Sequence, residues 1–273
     1  MKLKILGSAA AEGIPALFCC CQVCQTAREK GGHDIRRRAA YLWDDDIMID
    51  LGPDFFSAQI TWNLDYGRLR HVLITHSHDD HFYPMNLHYR ARGFATLPEG
   101  SWLTVHGNSR VGQMLNEAFH GSLEKCSLDF CEVNVGQTTE LDEQRSAKAI
   151  RAQHSPDEVC LNYILQSGDH HILVGNDTGW WAEETWQVLE QYRFDAAIVD
   201  CTAGTLDSRE YHMNAEAVID ARTRLLKCRA IDEASRFIAN HFSHNGGLTH
   251  SQLVDKLAPA GIEVGYDGME IEL

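Results

Sequence analysis

Thr75-His76-Ser77-His78-Asp79-Asp80-His81 is the stretch around which the chain is organised. It ends the apolar run His71-Val72-Leu73-Ile74, and an apolar run that stops abruptly at polar residues predicts a buried strand leading into a loop. Residues two apart in extended backbone point to the same side, so His76 and His78 can bind one metal ion. Asp80 and His81 follow where the chain is expected to turn, and they can reach a second ion.

Two ions held about 3.5–4 Å apart can stabilise both the attacking and the leaving oxygen of a displacement reaction. The alternative interpretation is a solvated polar loop, or histidines that only satisfy buried backbone groups. Four ligand-type side chains within six positions make that alternative the weaker one. The remaining ligands must then come from later parts of the chain.

Composition indicates a globular protein with a full hydrophobic core. The 273 residues are 44% hydrophobic, and we expect a single domain over 1–273 because no repeat or linker interrupts them. A net charge of −15 argues against a protein whose function is to bind nucleic-acid phosphates. With no signal-peptide pattern and no long apolar stretch, we expect a cytoplasmic protein without membrane contact. The sequence leaves a homodimer open.

Four cysteines within six residues form a second candidate metal site. The run Cys19-Cys20-Cys21-Gln22-Val23-Cys24 contains a C-x-C-x-x-C subset, Cys19, Cys21 and Cys24, that can wrap one tetrahedral zinc ion. Nine cysteines without a signal peptide indicate a reducing compartment, which favours metal binding over free buried thiols or a vicinal disulfide. Three thiolates leave the ion one ligand short, so a distant histidine or cysteine must complete the site.

Later strand ends offer candidates for the missing ligands. His154 ends an alternating strand, and Asp177 directly follows a predicted hairpin. His241 and His244 are three residues apart after a predicted strand, so one can complete the dimetal centre and the other the cysteine site. His212 lies at a loop–helix junction, which is a frequent location of functional residues.

Three further expectations concern the framework of the fold. Arg36-Arg37-Arg38 is the only strong basic run; such runs are usually a solvated face, and otherwise steer or bind an anionic substrate. Phe82 to Arg92 predicts a helix that leaves the metal loop. Ile262 to Gly265 and Met269 to Glu272 predict a final hairpin around Tyr266-Asp267-Gly268.

The order His-x-His-x-Asp-His at positions 76–81 resembles the signature of the metallo-β-lactamase superfamily. The resemblance implies an α/β fold, an αββα sandwich of two mixed sheets flanked by helices, with the metals at one edge. It implies that Asp50 lies under the metal loop and fixes its backbone. It also implies that His154 is a ligand and that Asp177 bridges the two ions.

Other motifs narrow the resemblance. Gly13-Ile14-Pro15-Ala16, Val199-Asp200-Cys201 and the closing segment 263–271 are similar to the phosphoribosyl cyclic phosphate phosphodiesterases of the carbon–phosphorus lyase pathway. That family implies His212 as a catalytic residue, and it has no ligand at the position of Cys20. It implies a structural zinc on Cys19, Cys21, Cys24 and His244, and active-site ligands His76, His78, Asp80, His81, His154, Asp177 and His241. The chain departs from the family pattern after Asp177, with Thr-Gly-Trp-Trp, and after Cys201, with Thr-Ala-Gly.

The resemblance therefore predicts a dinuclear-metal phosphodiesterase acting on a small, cyclic phosphodiester such as phosphoribosyl 1,2-cyclic phosphate. Two divalent ions, zinc or manganese, would hold the attacking hydroxide, and His212 would protonate the leaving alkoxide; Asp80 is the second catalytic candidate. Two alternatives with the same fold are a thioester hydrolase of the glyoxalase type and a tRNA-maturing ribonuclease. The negative charge disfavours the ribonuclease. A non-enzymatic zinc-binding protein is a third class, which a complete ligand set makes less attractive.

Overall fold

The computed structural model describes residues 1–273, and two seven-stranded sheets form its centre. The first sheet has the spatial order β14-β1-β2-β3-β4-β5-β6, and its strands are β1 (Lys2–Gly7), β2 (Ala40–Trp43), β3 (Ile47–Ile49), β4 (His71–Leu73), β5 (Leu103–Gly107), β6 (Leu128–Glu132) and β14 (Glu270–Glu272). The second sheet has the order β13-β12-β11-β10-β9-β8-β7, with β7 (Thr138–Glu140), β8 (Arg145–Arg151), β9 (Leu161–Ser167), β10 (His170–Gly175), β11 (Ala196–Asp200), β12 (Arg236–Asn240) and β13 (Glu263–Val264).

Six α-helices cover the outer faces of the sheets, and short 3-10 helices occupy several connections. The α-helices are α1 (Gln22–Lys30), α2 (Phe55–Trp62), α3 (Ser109–Phe119), α4 (Glu183–Leu189), α5 (Ala215–Lys227) and α6 (His250–Leu257). None of them combines the length and the hydrophobicity needed to cross a bilayer.

Alternating side chains along the strands build a layered core. On β10, Ile172 and Val174 point into the layer between the sheets, whereas Leu173 packs against the helices outside. In α3, Val111 and Leu115 lie four residues apart on one buried face, which matches the helical repeat. Three apolar layers therefore hold helices, sheet, sheet and helices together, and the predicted αββα sandwich is confirmed.

Strand direction places the candidate residues at one edge. Because β9 is antiparallel to both β8 and β10, and β11, β12 and β13 continue parallel to β10, five strands of the second sheet run the same way. In the first sheet β3, β4 and β5 are parallel. Carboxyl ends of parallel strands meet at one sheet edge, and ligands bind in the crevice outside those ends.

The basic run is not a free solvated face, which corrects the first expectation for it, because Arg36 is buried and Arg37 and Arg38 are partly buried in ion pairs. Arg36 is only 3% exposed, and its guanidinium donates to the Ser8 hydroxyl (2.8 Å) and the Gly265 carbonyl (2.6 Å). Arg37 pairs with Asp267 (3.4 Å). Arg38 pairs with Asp54 (3.0 Å) instead, so the run fastens loops to one another.

The two predicted closing strands do not form a hairpin, because they belong to different sheets. β13 extends the second sheet beside β12, and β14 pairs with β1 in the first. Between them, Asp267 accepts hydrogen bonds from the Ser8 hydroxyl and the Arg37 backbone, both at 2.7 Å. These hydrogen bonds fix the segment that crosses from the second sheet to the first.

The segment after the metal loop also differs from its prediction. Instead of a helix over Phe82 to Arg92, the chain forms a 3-10 helix over Pro84–Arg90. Phe82 is still held in the metal loop, since its N–H donates to the carbonyl of His78 (2.7 Å), and Pro84 follows two residues later. Two strands in the following region, β6 and β7, were not predicted at all.

Candidate metal centre

The structure brings all seven predicted active-site ligands to the edge where the parallel strands end. They form two overlapping groups in which the donor atoms all lie within 4.8 Å of one another. One group is His76, His78, His154 and Asp177, and the other is Asp80, His81, Asp177 and His241.

Asp177 belongs to both groups and lies at their centre. Its Oδ2 is 3.3 Å from Nε2 of His76 and 3.0 Å from Nε2 of His81, while Oδ1 is 3.3 Å from Nδ1 of His154. The carboxylate is buried, with 4% of the side chain exposed. One carboxylate that faces both groups can share its oxygens between two cations, as the resemblance implies for Asp177.

The donor atoms are placed to bind cations rather than to hydrogen-bond with one another. Nε2 of His241 and Nε2 of His81 face one another at 3.3 Å, and Nε2 of His76 lies 2.9 Å from Nδ1 of His78. Oδ1 of Asp177 is buried, and the ring nitrogens near it, Nδ1 of His154 at 3.3 Å and Nδ1 of His212 at 3.2 Å, are not aligned to donate a hydrogen bond to it. Convergent, buried lone pairs of this kind are the donor set of a metal site, so the residues can hold two ions.

The protonation of the imidazoles supports this assignment. Burial lowers the pKa of His154 to about 4, so that ring is a neutral donor at pH 7. Burial also lowers the pKa of His81, but the carboxylates of Asp80 and Asp50 outweigh it and raise that pKa well above its usual value. The acids therefore favour a positive charge at the His81 ring. A bound divalent ion would supply that charge and displace the proton.

Asp50 lies under the metal loop, where the resemblance places it. Its Oδ1 accepts hydrogen bonds from the Thr75 backbone N–H (2.8 Å) and hydroxyl (3.0 Å), and its Oδ2 is 2.6 Å from Nδ1 of His81. The side chain is buried and orients Nε2 of His81 toward the candidate ions. The tight approach also requires Gly52, because a Cβ there would lie 2.0 Å from the carbonyl oxygen of Asp80.

Three of the site residues have left-handed backbone, which L-residues other than glycine rarely adopt. The φ angles are 61° at Asp50, 49° at Asp177 and 61° at His241. Asp50 and His241 directly follow a strand and Asp177 follows β10 after one intervening residue, so each lies where the chain leaves the sheet at the site. Local strain of this kind is maintained only when surrounding packing enforces it, and it is concentrated at functional sites.

His212 lies beside the metal groups, and two acids hold its ring. Its Nδ1 is 3.2 Å from Oδ1 of Asp177 and 3.5 Å from Oδ2 of Asp200, and 32% of the side chain is exposed. Burial lowers the pKa of His212, but these carboxylates raise it to about 10. The two carboxylates therefore favour the protonated imidazole, and about a third of the side chain remains accessible.

Two residues that support the site, Thr202 and Glu158, are not among the candidates that the sequence motifs indicate. The Thr202 hydroxyl lies 2.8 Å from Nδ1 of His241 and donates to Asp200 (2.6 Å), so the Thr-Ala-Gly departure supplies an orienting group. Glu158 accepts hydrogen bonds from the Ser77 hydroxyl (2.6 Å) and from Asn108 (2.7 Å). Both contacts join segments far apart in the chain, and no local pattern signals them.

The cysteine site also comes together. Sulfur and ring-nitrogen donors of Cys19, Cys21, Cys24 and His244 lie within 4.8 Å of one another, and Nδ1 of His244 is 3.6 Å from Sγ of Cys19 and 3.5 Å from Sγ of Cys21. Cys20 is exposed and outside the group. Burial raises the pKa of the Cys21 thiol, but the Cys24 backbone N–H and the neighbouring donors lower it to about 6, which favours the metal-binding thiolate.

A cavity of 480 Å³ opens in front of the candidate ions. Among its 15 lining residues are five of the predicted ligands, His78, Asp80, His154, Asp177 and His241, together with His212. The other lining side chains are small or polar, apart from Leu206 and the acid Glu12. The volume suits a small molecule.

Comparisons with known proteins agree with this architecture. A family model described as "Beta-lactamase superfamily domain" matches residues 46–242. A curated protein from Porphyromonas gingivalis (strain ATCC BAA-308 / W83) named octanoyltransferase is 38% identical over 285 residues, covering 99% of this chain and 51% of that protein. This chain thus spans about half the length of that curated relative.

Solved structures with a similar fold include enzymes named for several activities. A diphosphatase of the PhnP family has a TM-score of 0.77 at 22% identity, covering 100% of this chain and 97% of that one. Zinc-bound PqqB from Methylobacterium extorquens has a TM-score of 0.78 at 15% identity, covering 100% of both. Human tRNase Z, short form, has a TM-score of 0.68 at 16% identity, covering 100% of this chain and 99% of that one. At these identities the likeness shows the fold.

Replacing Asp50 by Asn tests the orientation of His81. We expect Asp50→Asn to weaken binding of one active-site ion by about 10–100-fold, because the His81 ring loses its carboxylate acceptor. Competition with a metal-sensitive chelator dye measures this. Asp45→Asn, at an exposed hairpin turn, is the matched control with unchanged affinity. Equal affinities in wild type and Asp50→Asn would refute the orienting role.

The cysteine site has a matched pair of test variants. We expect Cys21→Ser to lose one zinc ion per chain and about 4 kcal/mol of the free energy of unfolding, as is typical when a structural metal is lost. Cys20→Ser should keep both, since Cys20 is exposed and lies outside the donor group. Metal analysis and thermal melting provide the measurements. Identical zinc content and melting in the two variants would contradict a structural zinc at this site.

Proposed function

The chain belongs to the metallo-β-lactamase superfamily of metal-dependent hydrolases, and we propose that it hydrolyses a small phosphodiester, with ribosyl cyclic phosphates as the substrate class that the sequence motifs favour. The observation that carries the proposal is the arrangement around Asp177: two donor groups share this carboxylate, and the ring of His212 lies beside them, with its Nδ1 3.2 Å from Oδ1 of Asp177. A metal pair and a general acid on one cavity are what phosphodiester cleavage requires.

When bound, two divalent ions would supply an activated water and a compensating charge for the phosphoryl oxygens. His76, His78 and His154 would hold one of them with Asp177, and Asp80, His81 and His241 would hold the other. Whether zinc or manganese fills the site is a matter of supply, because nitrogen and oxygen ligands accept both.

The side chains have separate tasks in the cleavage. Asp80 accepts a hydrogen bond from the attacking water and orients it toward phosphorus, where a new P–O bond forms. The P–O bond to the alcohol breaks, and its electron pair passes to the leaving oxygen. That oxygen takes a proton from Nε2 of His212, whose Nδ1 lies beside the carboxylates of Asp177 and Asp200, and solvent then returns a proton to Nε2. The proton of the water passes to solvent.

The named activities of the similar structures support this choice. A diphosphatase and a tRNase are both named for cleaving bonds at phosphorus. An RNA substrate is disfavoured, because the chain carries a net charge of −15 and RNA binding depends on cationic surfaces. A small phosphodiester meets the volume of the cavity and the donor set together.

A second candidate is hydrolysis of an octanoyl ester or thioester, which the octanoyltransferase relative suggests. The same metal centre could polarise an acyl carbonyl. The cavity favours the phosphodiester, however, because only four of its lining residues are hydrophobic and three of those are alanines. An eight-carbon chain would find little apolar surface there.

Initial rates on three substrates distinguish the candidates. We expect metal-reconstituted protein to hydrolyse bis(4-nitrophenyl) phosphate, and His76→Ala to lose at least 100-fold of that rate, since it removes a ligand. An octanoyl thioester and a glutathione thioester are assayed in parallel. Turnover of a thioester without diesterase activity would overturn the proposal and leave His212 without a leaving alkoxide to protonate.

The role of His212 as general acid has its own signature. We expect His212→Ala to lower kcat about 100-fold or more for a diester with an alkyl leaving group, and far less for a nitrophenyl ester, whose leaving group needs no proton. His170→Ala, an exposed histidine at the opposite end of β10, is the control. Equal losses on both substrates would show that His212 is not the acid.

A further inference from the structure

Glu12 is a side chain of the cavity that none of the predicted roles uses. It lies in the loop after β1 and lines the cavity together with Ala10 and Ala11. Backbone bonds fix this loop beside the ligand segment, since the Ala10 N–H donates to the carbonyl of Phe242 (2.9 Å). Glu12 is thus built into the substrate cavity by the same segment that carries His241.

Three groups hold the Glu12 carboxylate, and all of them contact the same oxygen. The Ser243 hydroxyl donates to Oε1 at 2.7 Å, the Asn245 amide donates at 3.1 Å, and Nε2 of His244 lies at 3.5 Å. Oε2 has no hydrogen-bond partner in the protein, and 33% of the side chain is exposed. The rotamer is therefore fixed while one acceptor oxygen is left for a ligand.

We propose that Glu12 selects the alcohol portion of the substrate, accepting a hydrogen bond from a sugar hydroxyl at Oε2 and excluding a second phosphate group. The inference rests on the proposed phosphodiesterase function. It narrows the substrate class to diesters whose only anionic group is the one at the metals, such as a ribose 1,2-cyclic phosphate with a free 5-hydroxyl, and so excludes the 5-phosphorylated sugar that the sequence resemblance implies.

Both the negative charge of the Glu12 carboxylate and its role as a hydrogen-bond acceptor favour a hydroxyl group over a phosphate group. A carboxylate oxygen is an acceptor only, so it binds an O–H group and leaves a phosphate oxygen unpaired. Like charges placed in a partly desolvated cavity repel strongly enough to discriminate between ligands. The small side chains of Ala10 and Ala11 leave room for a sugar next to Glu12.

Glu12→Gln reverses the polarity at one atom. The amide oxygen can keep the bonds from Ser243 and Asn245, and the amide nitrogen then places a donor where Oε2 was. Initial rates are measured on ribose 1,2-cyclic phosphate and on its 5-phosphate. We expect wild type to prefer the unphosphorylated sugar about tenfold in kcat/KM, mainly through KM, and Glu12→Gln to remove or reverse that preference.

Calorimetry gives a readout that does not depend on turnover. We expect wild type to bind ribose 1-phosphate more tightly than ribose 1,5-bisphosphate, and Glu12→Gln to lose that preference. Glu29→Gln, exposed on α1, is the control for loss of one negative charge. Unchanged zinc content and melting temperature in Glu12→Gln exclude an indirect effect through His244. Equal selectivity in wild type and Glu12→Gln, in rates or in binding, would overturn the inference. Absence of any diesterase activity would instead refute the proposed function, and binding would still decide the role of Glu12.

Discussion

The buried carboxylate of Asp177 is the interaction on which the rest of the site depends. Burial raises its pKa, but the surrounding imidazoles of His241, His212 and His76 hold that pKa well below its usual range. A single negative charge thus organises rings that come from four separated parts of the chain. Parallel strands make this convergence possible, because their carboxyl ends deliver Asp177 and His241 to one edge.

Much of the framework was predictable from local patterns. The hairpin of β2 and β3 follows from two apolar runs around Asp44-Asp45, and its strands pair antiparallel. The start of α6 follows from Thr249 and Gln252, which form a capping box. The candidate ligands were predictable because the loop at 76–81 carries a dense set of donor residues and the family resemblance implies the others, and a shared sheet edge then brings them together. Their role as ligands stays a prediction that metal binding must test.

Contacts between distant segments were not predictable. Arg36 looks like part of a solvated basic run until the fold surrounds it with Ser8, Gly265 and His250. The closing strands look like a hairpin because spacing does not reveal which sheet each one joins. Thr202, Glu158 and Glu12 are ordinary polar residues in sequence, and only tertiary structure gives them partners. A local pattern carries information about its own element, and not about the element that packs on it.

The left-handed backbone at Asp50, Asp177 and His241 links metal supply to the lifetime of the protein. Such conformations cost about 1–2 kcal/mol each, which together is a sizeable part of the roughly 5–15 kcal/mol by which a typical domain is stable. Ions that bind only the folded chain add stability by mass action. A cell short of metal would therefore hold less of this protein as well as less active protein, because the metal-free chain opens more often and is degraded sooner.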